Sequence, residues 1–261
     1  MTHWLGLQGR IAVITGASGG LGRAIAAALA EAGATTALLD RDTAGLQAAA
    51  AALGGNPFTQ TFDISDPASV HAAAAAVQSR LGAAHILVNN AGLLRAGNLD
   101  TLSLADWNDI IAVNLTGAFL CAQGFGSAML AAGRGALIHT ASIAASNAQA
   151  GSGAYSVSKS GVHMLSRQLA SEWGPRGVRS NVVSPGLVRT PMSESFYTAP
   201  GVTERRSAAV PMRRIGTPTD IAEAVAFLAS DRASYINGEE IIVDGGFTRT
   251  IMNLIPRPGH Q

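Results

Sequence analysis

From Ile11 onward the sequence alternates short, uninterrupted apolar runs with longer stretches of helical period, and that alternation limits the chain to very few architectures. The runs read as strands over 11–15, 35–40, 58–62, 86–89, 136–141, 178–183 and 240–243. Between them the pattern predicts helices over 21–32, 43–53, 106–131, 153–173 and 218–230, with another started by Asp66-Pro67. Ile11-Ala12-Val13-Ile14 and Ile86-Leu87-Val88 show no polar alternation, which is the pattern of strands covered on both faces. Strands that alternate with helices imply βαβ units and a parallel sheet. The expectation is an α/β fold: a single doubly wound domain over 1–261, seven parallel strands flanked by helices on both faces. Ligands in such sheets bind beyond the carboxyl ends of the strands, so the residues that follow each strand are the ones to read for function.

Thr15-Gly16-Ala17-Ser18-Gly19-Gly20-Leu21-Gly22 follows the first strand. Glycines let a backbone turn tightly and approach a pyrophosphate, whose charge the next helix N-terminus favours. The spacing is T-G-x-x-x-G-x-G, through Gly16, Gly20 and Gly22, rather than the commoner G-x-G-x-x-G. Alone it would be an ordinary strand-to-helix turn; after the first strand of a doubly wound sheet it implies a Rossmann-type dinucleotide site. Asp40 ends the second strand, 18 residues after Gly22. An acid there accepts hydrogen bonds from the adenosine ribose of NAD and repels the extra phosphate of NADP. Arg41 follows directly and favours NADP, but its side chain is free to swing away while Asp40 is fixed at the strand end. NAD(H) is therefore the expected cofactor and NADP the alternative.

Four further pieces fall on the expected elements: Asn89-Asn90-Ala91-Gly92 after the fourth strand, Asn114 in the long helix, Ser142 after the fifth strand, and Tyr155-Ser156-Val157-Ser158-Lys159 thirteen residues beyond Ser142. With the glycine turn, this ordered set resembles the short-chain dehydrogenase/reductase family, in its short single-domain branch. Pro185-Gly186, Thr190 and Asp244-Gly245-Gly246 look like that family's later motifs, so the resemblance runs from Leu7 to about Phe247. It implies a catalytic set of Asn114, Ser142, Tyr155 and Lys159. It implies cofactor contacts at Gly16, Ser18, Gly20, Leu21, Gly22, Asp40, Arg41, Asp63, Ile64, Asn90, Ala91, Gly92, Tyr155, Lys159, Pro185, Gly186, Val188 and Thr190. Substrate contacts would come from Ser142, Ala144, Gln149, Tyr155 and Leu187. One departure stands out: the fourth strand of the family usually begins with an acid, and here the chain reads Ala84-His85-Ile86. His85 is read as a surface residue at the start of the strand.

Tyr155 and Lys159 are four apart, which puts them on one helical face. A free phenol, with a pKa of about 10, is a poor base near neutrality. A nearby ammonium favours the phenolate and lowers that value, and the positive nicotinamide ring of NAD⁺ would do the same. Tyr155 would then take the hydroxyl proton of an alcohol as hydride leaves its carbon, and return it in the reverse reaction. Ser142 would hydrogen-bond the reacting oxygen. The resemblance adds that Lys159 holds the nicotinamide ribose and that Asn114 positions a relaying water. Asn90 is read as a brace for the sheet.

Lys159 is the only lysine, every other basic residue being an arginine, which hints at a task arginine cannot perform. Net charge is +1 without a basic run, against nucleic-acid binding. The lone Cys121 reads as a small core residue. The histidines show no metal-ligand spacing, and no metal is expected. Without a long apolar run or a leader-like start, a cytoplasmic protein without a membrane span is expected. The substrate is expected to be a small secondary alcohol or ketone, neutral or weakly polar. Arg95, Arg189, Arg205, Arg206 and Arg213 are read as solvent-facing, and 190–213, with Phe196 and Tyr197, as a lid. A sugar or polyol and a 3-oxoacyl thioester stay open as substrates, as does a dinucleotide-binding sensor or scaffold without turnover. The family resemblance implies a homotetramer, and the apolar tail over 247–261 is expected to dock on a neighbouring subunit.

Overall fold

The structure, a computed structural model, describes residues 4–255. The strands are β1 (Ile11–Thr15), β2 (Thr35–Asp40), β3 (Phe58–Thr61), β4 (Ile86–Asn89), β5 (Gly135–Thr140), β6 (Val178–Pro185) and β7 (Glu240–Val243). All are parallel, in the order β3-β2-β1-β4-β5-β6-β7. The helices are α1 (Gly20–Glu31), α2 (Thr43–Leu53), α3 (Pro67–Arg80), α4 (Leu104–Ile111), α5 (Gly117–Ala132), α6 (Tyr155–Trp173), α7 (Val202–Ala209) and α8 (Pro218–Ala229).

Successive strand residues point to opposite faces, and both faces are dry. Ala12, Ile14, Leu38, Ile86, Val88 and Ile138 pack with Ile25 and Leu29 of α1 and with Ile221 and Val225 of α8. Val13, Leu39, Leu87 and Leu137 pack with Val70, Cys121, Phe125, Met129 and Leu169 from α3, α5 and α6. Cys121 is fully buried, and burial pushes its thiol well above the ordinary range, so it is an inert core residue as expected.

Local chemistry explains where the boundaries differ from the sequence reading. The long helix begins at Leu104 rather than 106, because Ser103 accepts a hydrogen bond from the Asp106 amide at 3.0 Å and donates to its carboxylate at 2.7 Å. It is also interrupted: a π-helical turn over Ala112–Thr116 separates α4 from α5. α6 begins at Tyr155 because Gly153, at φ +56, cannot be helical. The segment over 190–213, read as a lid, holds a 3-10 turn at Glu194–Tyr197 as well as α7. The combined helix over Leu104–Ala132 has the length and mean hydropathy (1.4) to span a membrane, which the sequence reading did not anticipate. Of its buried residues, Cys121, Ala122, Phe125 and Met129 pack in the core of the domain itself.

The order of strands reverses between β1 and β4, where a doubly wound sheet opens a crevice. Thr15 locks that point: its hydroxyl accepts from the Asn90 and Ala91 amides (3.0 and 3.1 Å), while Asn90 Nδ2 donates to the Thr15 and Gly16 carbonyls (3.1 and 3.2 Å). Asn90 is thus the expected brace. His85 is more than a surface residue: its Nδ1 accepts the Ile11 amide at 3.1 Å, so it supplies the acceptor that an acid would supply at the start of β4. Of the tail, Phe247–Arg249 and Ile251–Leu254 form 3-10 turns, and the expectation for 256–261 falls outside the described residues.

Candidate active site

A cleft runs along the carboxyl edge of the sheet from Asp40 to Tyr155. Its first half is lined by Gly16, Ser18, Gly20, Leu21, Gly22, Asp40, Arg41, Asp63, Ile64, Asn90, Ala91, Gly92 and Thr190. Its second half is lined by Ser142, Gln149, Tyr155, Lys159, Pro185, Gly186, Leu187 and Val188, and the halves share Leu21, Asn90, Gly92, Thr190 and Met192. Of the expected site residues lining neither half, Asn114 and Ala144 are buried beneath it.

The glycine turn is as tight as its sequence requires. Gly16 sits at φ +67, and a Cβ there would lie 2.8 Å from the Ala91 Cα. A Cβ on Gly22 would meet the Gly16 carbonyl at 2.2 Å, so the helix can only start this close to the turn on glycine. Asp40 is fixed by the same turn. Its Oδ2 accepts the Ser18 amide at 2.9 Å and the Ser18 hydroxyl at 2.7 Å, and its Oδ1 accepts the Asp42 amide at 3.0 Å. Arg41 is exposed, and its charge acts on Asp63, whose carboxyl is held below the ordinary range chiefly by hydrogen bonds from Ser65 and to a lesser degree by Arg41. Arg23, which the sequence reading passed over, donates to the Ser18 carbonyl at 2.8 Å and ties the turn to α1. A glycine cradle continuous with a fixed acid at the end of β2 fits an adenosine dinucleotide.

At the other end, Ser142 hydrogen-bonds Tyr155. The Ser142 hydroxyl also accepts the Ala144 amide at 3.1 Å, which holds Ser142 from the side of the buried Ala144. Lys159 is buried, its ammonium 5.7 Å from the centre of the Tyr155 ring and 2.8 Å from the Thr140 carbonyl. Asn114 is a brace in this geometry. Its Oδ1 accepts the Leu93 amide at 2.7 Å, and its Nδ2 donates to the Leu93 carbonyl and the Ser158 hydroxyl at 2.9 Å each. A Cβ on Gly92 would lie 3.4 Å from Lys159 Nζ and 3.6 Å from Asn114 Oδ1, so glycine there keeps open the space the two share. Thr140 and Ser158 were not legible as site residues, since both act only through contacts that folding creates.

The electrostatics depart from the sequence reading. Burial raises Tyr155 above the ordinary phenol value, opposed by the Ser142 hydrogen bond. Burial pushes Lys159 down to about 8. The protein's own groups therefore hold a protonated phenol, and the lysine alone does not make it a base.

The arginines also divide. Arg95 pairs with Asp106 and Asp109, and Arg189 with Glu194, all at exposed positions. Arg213 donates to the Ala208 carbonyl. Arg206 is different: it is half-buried, lines the second half of the cleft and lies over the rings of Phe196 and Tyr197. Among the described residues no cluster of His, Cys, Asp and Glu could hold a metal ion.

A parallel sheet that switches at β1 and β4, a glycine cradle there, and serine, tyrosine and lysine gathered at the far end define a dinucleotide-dependent oxidoreductase of alcohols and ketones. Comparison with known proteins agrees. A family model described as enoyl-(acyl carrier protein) reductase matches residues 16–248. D-threitol dehydrogenase of Mycolicibacterium smegmatis is 44% identical over 93% of this chain and 94% of its own. Galactitol 2-dehydrogenase (L-tagatose-forming) of Cereibacter sphaeroides is 39% identical over 93% of this chain and 96% of its own. A crystal structure of a gluconate 5-dehydrogenase from Burkholderia cenocepacia J2315, in complex with NADP and tartrate, superimposes with a TM-score of 0.91 at 32% identity, over 96% of this chain and 99% of that one. The chain belongs to the short-chain dehydrogenase/reductase family.

Burial of Lys159 has a signed consequence for stability. Its ordinary pKa of 10.5 falls to about 8 in the fold, so between these values the unfolded chain binds the proton more strongly and stability rises with pH. The fold bears the cost of a buried charge below about pH 8 and loses that cost as the pH approaches 10.5. Relative to Lys159→Met, the wild-type protein should gain about 3 kcal/mol across this window. Urea unfolding at neutral and alkaline pH measures it, and a difference that does not change with pH would contradict the burial argument.

Proposed function

We propose that this enzyme interconverts a small secondary alcohol and its ketone with NAD(H), using Tyr155 as general acid and base. The observation that carries the reading is the convergence of Ser142, Tyr155 and Lys159 on the end of a cleft whose other end is closed by Asp40. NAD⁺ bound along this cleft would supply the hydride acceptor. Ser142 and Tyr155 would hold the substrate oxygen between two hydroxyls and orient the carbon beside it. Tyr155 would remove the hydroxyl proton on oxidation and return it on reduction. Lys159, beside the ring and in reach of the space at Gly92, would hold ribose hydroxyls and stabilise the phenolate when it forms. Asn114 would fix the loop after β4 against α6, its spare Oδ1 lone pair facing the same space.

Three features bear on the finer reading. The tight bonding of Asp40 to Ser18 supports NAD over NADP, although a solved relative is in complex with NADP. The polyol names of two relatives support a hydroxyl-rich substrate over a 3-oxoacyl thioester, while the matching family model points the other way. Exposed Phe119, Val157 and Met164 on α5 and α6 support a homotetramer packed on those helices. A cytoplasmic location and no membrane contact complete the proposal.

Tyr155→Phe should abolish oxidation of any active alcohol while calorimetry still finds NAD⁺ binding close to wild type. Activity within about tenfold of wild type, a barrier change of about 1.4 kcal/mol, would remove Tyr155 from the chemistry.

The wild-type enzyme should prefer NAD⁺ over NADP⁺ by about tenfold or more in kcat/KM, and Asp40→Ala should erase that preference. Both cofactors need the same salt, since screening weakens the repulsion. A wild-type preference for NADP⁺ would mean that Arg41 outweighs Asp40.

A further inference from the structure

The second half of the cleft carries a charge without a counter-charge. Among the described residues no aspartate or glutamate lines it, whereas Lys159 and Arg206 do. Among the described residues Arg206 has no carboxylate within ion-pair distance, unlike Arg189, whose guanidinium grips both oxygens of Glu194 at 2.5 and 3.0 Å. Arg206 is nevertheless held in place. Its guanidinium lies 5.5 Å from the centre of the Phe196 ring and 4.7 Å from that of the buried Tyr197. Two aromatic rings within cation–π range restrain the guanidinium and strip part of its water. Leu94, Ile143, Leu187 and Met192 give the same half of the cleft apolar walls.

We propose that Arg206 binds a carboxylate carried by the substrate, so that the alcohol oxidised in this cleft is a hydroxy acid or sugar acid. The inference rests on the alcohol–ketone reading of the same cleft and sharpens it against the neutral substrate that the sequence implied. A half-buried cation without a partner is unfavourable, and a ligand that brings the missing anion removes that penalty. A guanidinium fork presents parallel N–H groups that match a carboxylate in bidentate fashion. A phosphate gains from donors beyond one fork, and Ser193 in this lining is already engaged, donating to the Val188 carbonyl at 2.8 Å and lying 3.3 Å from the Thr190 hydroxyl. The base of this wall is anchored, since the Arg189 amide bonds the Gly216 carbonyl at 3.2 Å and the Gly216 amide bonds the Leu187 carbonyl at 2.8 Å.

The test compares matched pairs that differ only at one end, threitol with threonate and galactitol with galactonate, oxidised with NAD⁺. Wild type should favour the acid by about tenfold or more in kcat/KM, and in Arg206→Met the ratio should fall to about one, chiefly through KM. Arg206→Lys, which keeps the charge but not the fork, should fall between them and covers the case in which the methionine variant does not fold. A wild type that oxidises the polyol as well as the acid, or variants that lose both substrates equally, would overturn the assignment. Calorimetric titration of the acids into the enzyme–NADH complex separates this inference from the reaction beneath it. Acid binding that Arg206→Met abolishes, without turnover of any alcohol, would keep the anion site and reject the proposed chemistry. Turnover of a neutral alcohol, with no acid bound, would do the reverse.

Discussion

A single ammonium, buried between the end of β5 and the first turn of α6, organises the active site. Lys159 is the only lysine in the chain, and in the fold it is held by one protein hydrogen bond, to the Thr140 carbonyl. Burial pushes its pKa down to about 8, so it is the group in the cleft least content with its charge. Everything nearby serves to place it. Gly92 leaves room at its tip, Asn114 pins the loop that carries Gly92 to α6 through Ser158, and the π-helical turn at 112–116 brings Asn114 there. An arginine would not be equivalent there: the guanidinium is larger and planar, and the Lys159 side chain is buried.

Much of this was legible before any coordinates. Uninterrupted apolar strands and glycine or proline punctuation gave the seven-stranded parallel sheet, because burial on both faces leaves an unmistakable pattern. The Gly16 to Gly22 turn, Asp40, Ser142, Tyr155 and Lys159 were found because each follows a strand or repeats at helical spacing. What escaped depends on contacts made only in three dimensions. The Ala144 amide bond to the Ser142 hydroxyl is one such contact. His85 looked like a surface residue and accepts the Ile11 amide. α7 is a short, polar helix with little apolar periodicity, so nothing in its sequence separates it from a loop. Arg206 looked like one of several surface arginines, and only its stack on Phe196 and Tyr197 sets it apart.

The largest revision is electrostatic. Spacing alone places a lysine beside a tyrosine and suggests a lowered phenol pKa. The structure shows that burial acts on both groups and against both charges: it raises Tyr155 and lowers Lys159. Desolvation is the largest cause in both groups. A site built this way keeps its base protonated until a further positive charge arrives, which ties proton removal to the presence of the oxidised cofactor. An oxidised nicotinamide ring is such a charge, and the reduced ring is not.

That coupling is the central claim, and it can be read spectroscopically. The phenolate absorbance of Tyr155, taken as wild type minus Tyr155→Phe across a pH titration, should emerge above the ordinary value of about 10 in the protein by itself. With saturating NAD⁺ it should emerge at a distinctly lower pH, and with NADH it should not shift down. A phenolate already present near neutral pH in the protein alone would contradict the account, because it would show that Lys159 overcomes burial without help.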